Sequence, residues 1–163
     1  IAFDLGGGQL GYGWMSPRGL ATPEEVQEAE TFLNGFFEEV FEQFKVTPGQ
    51  AILMGFSQGG GMTYRCGLGR SDPFAGLVAL SASLSDPKEL EARLPEDRSQ
   101  PIFVAHGRFD PMVPAERAQA ALEFLEGAGY RPDYHEYDMA HEITNEVLMD
   151  LVPWVNRILQ PLR

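Results

Sequence analysis

The sequence is poor in cysteine: Cys66 is the only one in 163 residues. One thiol cannot close an intrachain disulfide, and a thiolate metal cluster is excluded with it. A reducing compartment, the cytoplasm, is the expected setting. Basic residues are scarce too, with 12 Lys and Arg against 24 Asp and Glu and a formal net charge of −12. Nucleic-acid recognition rests on basic contacts to phosphate, so no nucleic-acid partner is expected. A strongly anionic substrate headgroup fits poorly for the same reason. No stretch approaches the ~20 apolar residues that cross a bilayer, so no membrane span is expected. No His, Asp or Glu spacing suggests a metal, and no cofactor is expected. The chain begins at Ile1 rather than Met, so the absence of a signal peptide carries no meaning.

What remains is ordinary globular material, 44% apolar and 22% charged, and one α/β domain over 1–163 is the expectation. Residues 1–19 are glycine-rich without a sustained period and read as loop with one short extended piece. Thr22-Pro23-Glu24-Glu25 then opens a helix, with Thr at the N-cap, Pro at the first helical position and Glu three after the cap. Val26, Ala29, Leu33, Phe36, Phe37, Val40, Phe41 and Phe44 recur at three- and four-residue intervals, which predicts an amphipathic helix whose phenylalanine stripe packs in a core. Thr47-Pro48-Gly49 stops it.

Four short runs follow, at 51–54, 76–80, 102–105 and about 133–137. Helical patterns fall between or after them: one from near Gly59, one over 115–126, and one over about 142–160 that Pro153 should kink or interrupt. Short apolar strands alternating with helices predict a mostly parallel sheet covered on both faces. In such sheets ligands bind where the strands' carboxyl ends open into loops. Those loops hold Ser57, then Ser81 and Ser83, then His106 to Asp110, then Asp138 to His141.

Gly55-Phe56-Ser57-Gln58-Gly59 has the form Gly-x-Ser-x-Gly. A pentapeptide match is weak by itself, because glycine and serine also make plain turns. Its setting adds weight. A nucleophile elbow must leave a buried strand and open a helix, and the run AILM stands before it with a helix-compatible segment after it. The glycines remove side chains that would clash across the turn, and the backbone N–H of Gln58 is the candidate oxyanion donor. A serine needs a base and an acid to orient that base. Ser57, Asp110 and His141 occur in the chain order this fold uses, each after a separate predicted strand. They are the candidate catalytic triad.

Blander readings stand beside these. His106 supports its loop by hydrogen bonding, and His135 is a surface or satisfied, partly buried residue. Asp110 could simply cap the turn into Pro111 or the next helix. Asp86 and Asp138 are its rivals as the acid, although Asp138 lies close to His141 along the chain. Glu142 belongs to a first helical turn and can line the pocket. Cys66 is a small buried hydrophobe.

GFSQGG, PIFVAHGRFDPMVP and EYDMAHE together resemble the phospholipase/carboxylesterase family of α/β-hydrolases, relatives of the acyl-protein thioesterases. The resemblance covers nearly the whole chain, including GYGWMSPRG and the TPEEV helix. It implies the α/β-hydrolase fold, the triad Ser57, Asp110 and His141, and an oxyanion contact from Gln58. Two departures stand out. Ala140 replaces the Gly usual before the catalytic histidine. In addition, only 56 residues precede Ser57, and none forms the His-Gly-rich loop that supplies the family's second oxyanion donor. Gly6-Gly7-Gly8 is a weak stand-in. The chain is then expected to lack N-terminal strands, as a fragment of a longer protein or as a shortened member.

The expected function is hydrolysis of a small-molecule carboxylic ester of small to medium acyl chain through an acyl-enzyme, with Trp14, Phe56, Phe109 and Met112 lining the pocket. Thioesterase or lysophospholipase chemistry is the nearest alternative. A non-catalytic binding module on the same fold is the alternative of a different class.

Overall fold

Residues 46–56 set the frame of the site, because β3 (Ala51–Phe56) is the first strand of a four-stranded sheet with order β3-β4-β5-β6. The others are β4 (Phe74–Leu80), β5 (Ile102–Gly107) and β6 (Asp133–Tyr137), and every pairing among them is parallel. The computed structural model describes residues 1–17 and 20–159. Arg18 and Gly19 of the glycine-rich front, and Gln160 at the expected end of the last helix, lie outside the described residues. The chain divides into two compact units, Ile1–Lys45 and Val46–Arg163.

In the second unit, side chains alternate along each strand and so face two different layers. One face carries Val78, Leu80, Phe103 and Ala105, which pack with Val147, Leu151 and Trp154 of helix α5 (Asn145–Ile158) and with Met139. Each buried Val, Leu, Phe or Met side chain among them contributes ~1.5–3 kcal/mol relative to exposure. The other face carries Leu53 and Leu77. Helix α2 (Gln58–Gly67) lies so close to them that a Cβ on Gly67 would meet Leu77 and stand 3.2 Å from Leu53 Cδ2. Gly76 plays the matching part on the α5 side, where an added Cβ would stand 2.8 Å from the Trp154 ring. Helix α4 (Ala115–Gly127) buries Ala118, Ala121 and Leu125. The predicted parallel sheet with helices on it is the observed one.

The last helix begins at Asn145, three residues later than expected, and it continues through Pro153. Proline removes one backbone donor and so leaves the carbonyl four residues back without its helical partner. That residue, Met149, and Pro153 are both exposed, so water can take the place of the missing donor. A short helix α3 (Pro87–Glu91), for which the sequence carried no periodic signal, follows Asp86.

The first unit holds a β-hairpin, β1 (Ala2–Gly6) and β2 (Gln9–Tyr12), and helix α1 (Pro23–Phe44). The hairpin corrects the reading of residues 1–19 as mainly loop. Gly7 and Gly8 have φ of 64° and 81°, the left-handed pair that a two-residue hairpin turn requires. Gly6-Gly7-Gly8, the weak stand-in for an oxyanion loop, thus lies at the β1–β2 turn. Helix α1 starts as predicted: the Thr22 side chain accepts from Glu25 N–H, and the Glu25 carboxylate accepts from Thr22 N–H. Its phenylalanine stripe is another correction. Ala29 and Leu33 are buried, Phe37 and Phe41 half-buried, and Phe36 and Phe44 exposed. A helix of 22 residues extends ~33 Å, about twice the reach of the unit's four- and five-residue strands.

Candidate active site

The four parallel strands end on one edge, and the candidate residues stand in the loops beyond it. Ser57 follows β3 directly, and its N–H donates to Leu80 O of the neighbouring strand at 2.8 Å. Its backbone has φ 55° and ψ −120°, a conformation costly for any residue with a side chain and characteristic of functional turns. The surrounding glycines make it possible. A Cβ on Gly55 would collide with the backbone of Gly59 and Gly60, and one on Gly60 would stand 2.5 Å from Ala82 Cβ. The turn is a strand-to-helix elbow with serine at its apex. Gln58 is the first residue of α2, and the helix's own bonding begins with Gly61 N–H to Ser57 O at 3.2 Å. The amide of Gln58 therefore precedes the helical ladder and points out of the helix's positive end.

Asp110 and His141 are brought together. His141 Nδ1 lies 2.7 Å from Asp110 Oδ2, with the Asp110 side chain fully buried and the imidazole partly so. The other carboxylate oxygen, Oδ1, accepts from Met112 N–H and Val113 N–H, each at 2.8 Å. Burial pushes this carboxyl up, but the Val113 amide, the His141 hydrogen bond and the Met112 amide together outweigh it and hold the group below the ordinary carboxylate value. A carboxylate at this point can only accept, so His141 Nδ1 carries the hydrogen. Nε2 is left as the basic nitrogen. The Phe56 ring, one residue before Ser57, lies 4.6 Å from the His141 ring at 45°. That contact sets the elbow strand beside the imidazole.

A bare Cα makes the approach of the His141 loop possible. At Gly107 an added Cβ would strike the carbonyl oxygens of Met139 and Ala140. The crossing is pinned by Phe109 N–H to Met139 O at 3.1 Å and Arg108 N–H to Tyr137 O at 2.9 Å. Nothing in the sequence marked Gly107 for this task beyond its place at a strand end.

The rivals fall elsewhere. Asp138 pairs with Arg108 at 2.6 Å. Asp86 lies 3.5 Å from Arg65, which also holds Glu89 at 2.8 Å. His135 sits between Asp133 at 2.9 Å and Asp150 at 3.8 Å, with its ring stacked on Phe103, the satisfied residue expected of it. His106 is fully buried and bonds Val113 O through Nε2 at 2.7 Å, the loop support expected. Cys66 is buried in α2. Glu142 precedes α5 rather than lying in its first turn, and its carboxylate accepts from Ala140 N–H at 3.3 Å. Among the pocket candidates, Phe56 meets His141, whereas Phe109 and Met112 are two-thirds exposed on either side of Asp110. Trp14 belongs to the first unit and is partly exposed. Among the described residues no group of three or more His, Cys, Asp or Glu could hold a metal.

A parallel sheet with a serine elbow after one strand and an Asp–His pair after two others defines an α/β-hydrolase. The phospholipase/carboxylesterase family model matches residues 12–159, and the chain belongs to that family. Acyl-protein thioesterase 1 of Gibberella zeae is 33% identical over 142 residues, covering 85% of this chain and 60% of that protein. Carboxylesterase SOBER1 of Arabidopsis thaliana is 32% identical over 115 residues, covering 69% of this chain and 50% of its own length. The crystal structure of esterase PE8 superposes with a TM-score of 0.81 at 26% identity, over 91% of this chain and 71% of that one. The chain thus spans between half and two thirds of the length of these two curated relatives.

Proposed function

We propose that this chain is a serine hydrolase that cleaves carboxylic esters of small to medium acyl chain through an acyl-enzyme. The observation that carries the reading is the buried His141–Asp110 hydrogen bond of 2.7 Å on the sheet edge where Ser57 occupies a strained elbow. In the proposed cycle His141 Nε2 takes the Ser57 proton as Oγ attacks the ester carbonyl. The tetrahedral oxyanion is met by the Gln58 N–H. Collapse expels the alcohol with the proton from His141, and water then repeats the sequence on the acyl-serine. Asp110 keeps the hydrogen on Nδ1 and stabilises the imidazolium that forms. Phe56, Phe109 and Met112 offer apolar surface to the acyl group. The buried single cysteine supports residence in the cytoplasm.

A thioesterase reading is favoured by one specific observation, the name of the thioesterase relative from Gibberella zeae. The two share the attack on an acyl carbonyl and differ in the leaving group.

The test is hydrolysis of a series of nitrophenyl esters of increasing acyl length, with matched thioesters alongside and Ser57→Ala as the control. A rate that requires Ser57 and peaks at short to medium acyl length is expected. Full activity in Ser57→Ala would remove the nucleophile. A binding-only protein would be inert in every arm while still retaining ester ligands.

A further inference from the structure

Directly beneath the acid–base pair lies a second histidine that the proposed reaction does not use. His106 is fully buried on β5, four residues before Asp110. Its Nε2 stands 2.7 Å from Val113 O, and a carbonyl can only accept, so Nε2 carries the hydrogen. The peptide groups of Val113 are thus claimed at both ends. The carbonyl takes the His106 N–H, and the amide donates to Asp110 Oδ1 at 2.8 Å. Gly107 O closes the same turn by accepting Asp110 N–H at 3.3 Å.

His106 Nε2 is also 3.7 Å from Asp110 Oδ2, too long for a hydrogen bond. Were that hydrogen not engaged by Val113 O, it would compete with His141 for the same oxygen. We propose that His106 is a positioning residue for this site: tethered to Val113 O, it holds the 107–113 turn so that Asp110 binds two amides through Oδ1 and gives Oδ2 to His141 alone. The inference rests on the reading of Asp110 and His141 as the acid and base of a hydrolase. Leucine would fill the volume equally well, but it could not hold Val113 O, so a buried carbonyl would lose its partner.

Two substitutions separate positioning from filling. His106→Leu removes the donor, whereas His106→Gln offers a side-chain N–H at nearly the same reach. The first readout needs no substrate: the strongly downfield proton resonance of His141 Nδ1–H, assigned in the parent by its disappearance in Asp110→Ala. The second is kcat and KM for the best nitrophenyl ester. In His106→Leu the resonance is expected to vanish and kcat to fall ~10²-fold, the scale of a displacement near 1 Å, with KM within about twofold of the parent. His106→Gln is expected to restore the resonance and most of kcat.

A Leu variant that keeps both signals would overturn the proposal, since the imidazole would then be filler. So would a Gln variant that melts cooperatively yet loses both. Should the Leu variant fail to fold, nitrogen NMR of the parent decides: a hydrogen on Nε2 of His106 with coupling to the Val113 carbonyl carbon supports the tether, and a hydrogen on Nδ1 with no such coupling overturns it. A parent that hydrolyses no ester removes the hydrolase reading but leaves the resonance test of the tether standing.

Discussion

His141 Nδ1 and Asp110 Oδ2 stand 2.7 Å apart although 31 residues separate them in the chain. The pair arises because β5 and β6 are neighbours in the sheet and end together, Gly107 opposite Tyr137. Asp110→Asn places an amide where the carboxylate was. Its NH₂ group can face Nδ1 and draw the hydrogen to the other ring nitrogen. A fall in kcat of ~10⁴-fold with nearly unchanged KM is expected, and steady-state kinetics on the ester would check it.

If Ser57 is the nucleophile proposed above, its position sets stability against function. Its φ of 55° is natural for glycine and strained for serine. Ser57→Gly should therefore abolish turnover while raising stability by ~1 kcal/mol, or about 2–4 °C in melting temperature for a chain of this size. Thermal melts beside the ester assay test both halves. An unchanged or lower melting temperature would count against strain at the elbow.

Gly107→Ala should displace the loop that carries His141, because the new methyl group meets the Met139 and Ala140 carbonyls. Overpacking of this kind typically costs ~1–3 kcal/mol. The expected result is a lower urea midpoint together with loss of the downfield His141 resonance. Gly127→Ala, where an added Cβ meets nothing within 4 Å, should leave the resonance intact.

Acid should weaken the site in a defined direction. Although burial pushes the Asp110 carboxyl up, its amide and imidazole partners hold it below the ordinary carboxylate value. Between the folded and unfolded values the unfolded chain binds the extra proton, so stability rises with pH across that window. The contribution is fully present above the unfolded value, ~4, and is lost as pH falls through the lower folded one. Urea titrations of the parent and of Asp110→Asn from neutral pH down to about 2 should converge as pH drops below ~4. A constant gap between the two curves would contradict the assignment.

Much of this frame was legible in the residues. Alternating apolar runs and helical periods located all four strands of the main sheet, and Thr22 to Glu25 announced the capping box of α1. The pairing of Asp110 with His141 could be read because their roles demand particular side chains in a particular order. Features made by backbone were harder to see. The hairpin at Gly7 and Gly8 has too few alternating residues on either side to signal strands. The crossing at Gly107 depends on carbonyls that any residue would supply. The tether from His106 likewise ends on the carbonyl of Val113, and a carbonyl leaves no mark in composition or spacing. That the helix is not interrupted at Pro153 was illegible for the related reason that exposure of one carbonyl to solvent is a tertiary fact.

The hydroxyl, the carboxylate and the imidazole leave from three different strands of one sheet, and the last of them arrives late in the sequence. A ribosome-bound chain that has emerged only as far as α4 holds Ser57 and Asp110 but not yet His141. On the proposed reading the elbow serine gains its base only after synthesis has passed His141 and β6 has docked beside β5, so an incomplete translation product would carry an unactivated alcohol.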